Sequence, residues 1–174
     1  MQAAVARATT PAPPLAVETS FKQTGAGKGL LTIRGIARQP LSAVTVVVSL
    51  PTVLDVRLVE PRGRHVDSRE IDKDRVEYSV ALVDRVEGGA VTAVLELSVR
   101  GPAELQTSEI DVRMIGRTED GGTAVGQVSL FVTVTGGKLD VQAAGGGGHP
   151  CVLLAVPQVA VVLGLLLLLF YRHR

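Results

Sequence analysis

The stretch that decides the fold is "RVEYSVALVDRVEGGAVTAVLELSVR", residues 75–100. Val76, Tyr78, Val80 and Leu82 alternate with mostly polar neighbours in its first half, and Val91, Ala93, Leu95, Leu97 and Val99 do so in its second. A period of two puts these side chains on one face of an extended chain, whereas a helix repeats its apolar residues three and four apart. Half-buried antiparallel strands carry this pattern.

Working outward, the same alternation recurs in both directions. Upstream lie "LAVETSF" (15–21), "LLTIRGIA" (30–37), "LSAVTVVVSL" (41–50) and "VLDVRLVE" (53–60). Downstream, "SEIDVRMIG" (108–116) offers Ile110, Val112 and Met114, and "VGQVSLFVTV" (125–134) offers Val128, Leu130, Val132 and Val134. "EGG" (87–89) and "EDGG" (119–122) are short glycine-containing connectors, which predict hairpins. "GAGKG" (25–29) lacks the spacing and following helix of a phosphate-binding loop and reads as a hairpin turn. No amphipathic helix period of useful length interrupts the series.

The expectation is an all-β, antiparallel sandwich of about 7–8 strands over residues 15–135. Val, Leu and Ile must fill its core, with Tyr78 and Phe131 as the larger pieces, because aromatics are only 3% of the chain. In shape these strands resemble bacterial immunoglobulin-like or fibronectin-III-like modules. The Cys…Trp…Cys hallmark of true immunoglobulin domains is impossible here, since the chain has one Cys and no Trp.

Composition excludes several functions. Removing Arg172 and Arg174 from the 18 basic residues leaves 16 against 17 acidic ones over residues 1–150, a net charge of −1. Such an interleaved balance offers no track for a phosphate backbone, so no nucleic-acid partner is expected. The single cysteine, Cys151, allows no intrachain disulfide and no cysteine-based zinc cluster. The sequence contains no Asn and therefore no N-glycosylation sequon.

The 46% apolar content and mean hydropathy of +0.31 average two unlike parts. Cys151–Tyr171 is a run of 21 residues without a charge. As a helix it is ~31 Å long and matches the hydrocarbon core of a bilayer. A C-terminal transmembrane α-helix is predicted at 151–171, with Pro150 at its start, Pro157 and Gln158 in its first turns, and Gly164 permitting close helix approach. Arg172 and Arg174 flank it in a basic tail (172–174), so the positive-inside rule places the C-terminus in the cytoplasm and the β domain outside. "MQAAVARATTPAPPLA" has no apolar signal-peptide core. Two readings follow: an exported domain whose start is truncated, or a tail-anchored domain in the cytoplasm. Residues 1–14 are expected to be disordered and 136–150 to be a glycine-rich linker.

The segments "GGGGHPC", "VLLAVPQVAVVLGLLLLLF" and "YRHR" together have a motif, an apolar helix and a basic end. This layout resembles C-terminal sorting tails of the rhombosortase or myxosortase type, which implies a surface adhesion-type protein cleaved near Cys151. The Pro before the Cys and the short basic end depart from that pattern.

The densest polar region is "EPRGRHVDSREIDKDRVE", residues 60–77. Asp67, Glu70, Asp72 and Asp74 could surround a hard cation, but the EF-hand glycine and bidentate Glu are missing. Arg62, Arg64 and Arg69 interleave with those carboxylates, so the region reads as a solvated inter-strand loop. His65 is the only histidine among the predicted strands, and no G-x-S-x-G elbow accompanies it. No enzyme, metal, cofactor or small-molecule substrate is expected. The predicted function is that of a membrane-anchored interaction module or accessory subunit of a membrane or envelope complex. Its candidate interaction loop comprises Arg62, Arg64, His65, Asp67, Arg69, Glu70, Asp72 and Asp74. Its expected partners are the lipid bilayer and other proteins.

Overall fold

A computed structural model describes residues 14–83, 85–102 and 104–144. They form ten strands: β1 (Leu15–Gly25), β2 (Lys28–Ala37), β3 (Leu41–Pro51), β4 (Leu54–Glu60), β5 (Asp67–Asp72), β6 (Arg75–Val83), β7 (Gly89–Val99), β8 (Leu105–Thr118), β9 (Thr123–Thr135) and β10 (Lys138–Ala143). One sheet has the order β1-β2-β7-β4, and the other has β10-β9-β8-β3-β6-β5. Every pairing is antiparallel.

Numbered by first appearance, β1, β2, β3, β4, β7, β8 and β9 are seven strands paired as first-second-fifth-fourth and third-sixth-seventh. That is the immunoglobulin constant-type arrangement. The β5–β6 hairpin is inserted beside the third strand, and β10 is appended beside the seventh. All eight predicted runs are strands.

The core lies between the sheets, and the period-two residues build it. Leu31, Ile33, Leu95 and Leu97 come from one sheet, and Val46, Val48, Ile110, Val112, Met114 and Val132 from the other; all are buried. Tyr78 is buried as expected, but Phe131 is 44% exposed. The reason is parity: Leu130 and Val132 point inward, so Phe131 between them must point to solvent.

Two further expectations change. "EGG" does not make a hairpin, because β6 and β7 lie in different sheets; Val86 bridges to Leu41 and the chain crosses the sandwich there. "EDGG" does make one, with Arg117 opposite Thr123. Residues 138–143, read as linker, form β10, whose Leu139 is buried opposite Val134. Gly136 and Gly137, both at positive φ (55° and 70°), supply the turn that returns the chain along β9.

Gly126 has a packing reason. A Cβ there would sit 2.6 Å from the Leu15 carbonyl oxygen, so only glycine lets the start of β1 lie against β9.

Among the described residues no helix is long and apolar enough to cross a membrane. The N-terminal segment before Pro14, the linker beyond Ala144, Pro150, Cys151, Pro157, Gln158, Gly164, Arg172, Arg174 and the whole 151–171 run lie outside the described residues.

Candidate functional site

The predicted interaction loop is split by the fold. Residues 61–66 carry the chain from β4, at the edge of one sheet, to β5, at the edge of the other, and Val66 packs on the core. Arg62, Arg64 and His65 are exposed on this segment. His65 Nε2 lies 3.2 Å from Asp67 Oδ1, with both side chains mostly in water. Asp67, Arg69, Glu70 and Asp72 belong to β5, a strand where the polar pattern predicts a loop. They alternate poorly because all six of its residues are exposed, so no apolar face marked the strand. Backbone pairing to β6 holds it instead, with Asp67 opposite Ser79 and Arg69 opposite Glu77. Asp72 Oδ1 accepts the Asp74 N–H at 2.8 Å, an Asx turn that closes this hairpin. Among the described residues no group of acidic, His and Cys side chains could hold a metal ion.

The structure assembles a second constellation beside β5, on the outer face of the larger sheet. Ser49 on β3 lies opposite Asp111 on β8 and opposite Glu77 on β6. Arg75 reaches across β3, donating from Nη2 to Asp111 Oδ2 at 3.2 Å and from Nε to Ser49 Oγ at 3.2 Å. Arg113 reaches the other way and donates to Glu77 Oε2 at 2.7 Å. Ser129 Oγ donates to the remaining Asp111 oxygen at 3.0 Å.

Two ion pairs thus bridge β6 and β8 over the small side chains of β3. They explain why Val47 and Ser49, on the solvent side of the sheet, are only 7% and 6% exposed. With Ile71 and Gln127 these charges line a groove of ≈ 320 Å³. Each of these charges is paired within the domain, so the groove carries no net charge from them and is no ion trap. Sequence reasoning placed Glu77, Asp111 and Arg113 on polar faces. It missed their union because β6 and β8 become neighbours of β3 only through the sheet order.

At one end of the sandwich, Asp55 on β4 accepts from Arg100 Nε at 2.8 Å. The same guanidinium lies near the hydroxyl of Tyr78, which comes from the opposite sheet, and favours its ionised form. Burial pushes the Tyr78 hydroxyl above its ordinary pKa; nearby Arg100 opposes this shift and Asp55 adds to it. Arg100 is itself held above its ordinary value by the hydrogen bond and charge of Asp55. In the β8–β9 turn, the Thr118 hydroxyl and the Gly122 N–H bond the Asp120 carboxylate and lower its pKa.

No family model and no curated protein matches this chain. Among solved structures, the major pilin SpaD of Corynebacterium diphtheriae is similar, with a TM-score of 0.51 and 13% identity over 72% of this chain. The match spans 40% of that pilin's length. A Nocardia farcinica protein with an immunoglobulin-like fold aligns with a TM-score of 0.42 and 18% identity, covering 64% of this chain and 81% of the other. A non-cellulosomal cohesin from Archaeoglobus fulgidus gives 0.38 and 9%, covering 64% and 88%. The pilin likeness is one of fold.

Proposed function

We propose that this chain is a non-catalytic β-sandwich, anchored by one C-terminal membrane span, that serves as a protein-interaction module or accessory subunit of a membrane or envelope complex. The observation that carries the reading is a conjunction. A sandwich with a continuous core ends at Ala144, and an uncharged run of 21 residues begins at Cys151, with six residues between them. A run of that length and polarity is suited to a bilayer.

The surface assigned to the partner is the outer face of the larger sheet together with β5. There, Arg69 and Asp67 continue the rows of the Arg75–Asp111 and Arg113–Glu77 platform. Internally paired charges give such a groove a defined lining, while the rim charges of β5 set partner choice. Carbonate-washed membranes should retain the chain, and added protease should reach the domain only from the extracytoplasmic side. Release by carbonate would sink the anchored reading. Charge reversal at Arg69 and Asp67 should abolish co-purification with the partner and leave the thermal midpoint unchanged.

A second reading, an adhesion-type surface protein processed at its tail, draws on the Gly-Gly/Cys, apolar and basic layout of residues 145–174. The fold-level likeness to a pilin is compatible with it. Its test is the intact mass of protein taken from native membranes: a chain ending near residue 151 supports processing, and a full-length unmodified chain rules it out.

A further inference from the structure

Sheet edges are hazards that proteins blunt with charge, bulges or short length. Four edge strands here follow that rule. β1 carries Glu18 and Lys22 and a register shift at Gln23/Gly25; β4 carries Asp55, Arg57 and Glu60 and a shift at Leu58/Glu60. β5 is six residues long with four charges and a shift at Glu70/Asp72, and β10 is six residues long with Lys138 and Asp140.

A fifth edge lacks these devices. β9 has 13 residues, but β10 pairs only with Leu130–Thr135. The Ala144 N–H then donates to the Ser129 carbonyl at 2.9 Å, the last bond on that side among the described residues. Because backbone groups alternate sides along a strand, the bond at Ser129 means that Thr123, Val125 and Gln127 direct their N–H and C=O groups the same way. Among the described residues these groups have no ladder partner.

The segment Thr123–Val128 has no charge, no proline and no register shift against β8. Its inner side is covered, with Ala124 buried and Gly126 against β1. Outside, Val125 is 47% exposed.

We propose that this half-strand pairs antiparallel with the same half-strand of a second copy, joining the two larger sheets into one. A two-fold axis normal to the sheet and passing at Val125 satisfies both alternations at once. It sets Val125 opposite Val125, Thr123 opposite Gln127 and Ala124 opposite Gly126, so outward residues meet outward and inward meet inward. Thr123, Val125 and Gln127 of each copy then exchange both backbone hydrogen bonds with their opposites. An isologous edge must tolerate its own charges across the axis. This segment has none to oppose. Pairing over about five residues is short, so the dimer is concentration-dependent.

The test uses the full chain in mild detergent over a concentration series, read by sedimentation velocity and by amide hydrogen exchange of residues 123–127. Dimer formation with protection of these amides rising in parallel is the expected result. Val125→Lys, which places two ammonium groups at the axis, should weaken the dimer at least tenfold and restore fast exchange without changing the circular-dichroism melt. Val125→Thr, still β-branched and uncharged, should dimerise. The proposal is overturned if the chain is monomeric with 123–127 exchanging freely, or if the monomer protects them, which would mean its own tail fills the edge. A dimer indifferent to Val125→Lys, as expected from pairing through 151–171, overturns it too, as does protection that requires a different protein.

Discussion

Tyr78 and Asp111 show how single side chains in this domain act between strands that are distant in sequence. The Tyr78 hydroxyl is raised above its ordinary pKa mainly by burial. The folded state therefore holds that proton more tightly than the unfolded chain. Its stabilising contribution is complete below the unfolded pKa, about 10, and is lost as pH rises through the higher folded value. Ultraviolet titration of the folded protein should show a tyrosinate transition later than that of free tyrosine, and Tyr78→Phe should remove it. Asp120 has the opposite sign: its lowered pKa favours the folded state above the unfolded carboxylate value and loses that contribution on acidification. Asp111 accepts from both Arg75 and Ser129, so Asp111→Ala leaves the half-buried Arg75 guanidinium without its counter-charge and the Ser129 hydroxyl without its acceptor. Urea denaturation should report a loss of about 1–3 kcal/mol. Tyr78 was legible in the sequence as a core residue, because parity places it. Its partner Arg100 was not, since nothing local links a β6 side chain to the end of β7.

At the scale of elements, alternation revealed every strand with one buried face and missed the two that do not display one. β5 is exposed on both faces, and β10 follows glycines and buries only Leu139 deeply. Leu139→Ala should cost about 2–5 kcal/mol in chemical denaturation, as for a core leucine; a loss near zero would return 138–143 to the status of a linker. Gly126→Ala should cost about 1–3 kcal/mol by forcing the β1 backbone off β9, since the obstructing atom is a carbonyl oxygen rather than a movable side chain. The two glycine connectors separate for a similar reason. "EDGG" joins strands whose inner faces belong to one sheet, whereas "EGG" joins strands on opposite sides of the core, and no turn residue distinguishes the two.

For the whole sandwich, one continuous core joins both sheets. Unfolding of the sandwich should be a single transition, with circular dichroism and hydrogen exchange of β2 and β8 giving the same midpoint; separate midpoints would mean that the sheets unfold independently. The sequence by itself determined the all-β class, the inward-facing residues and the uncharged run at 151–171, because periodicity and composition are local properties of the chain. Only the tertiary structure decided that β3 lies between β6 and β8, that Arg75 and Arg113 roof Ser49, and that β10 pairs with the second half of β9, leaving Thr123–Val128 without a ladder partner on that side among the described residues. Those facts depend on which distant segments pair and in what register, and non-local packing selects both.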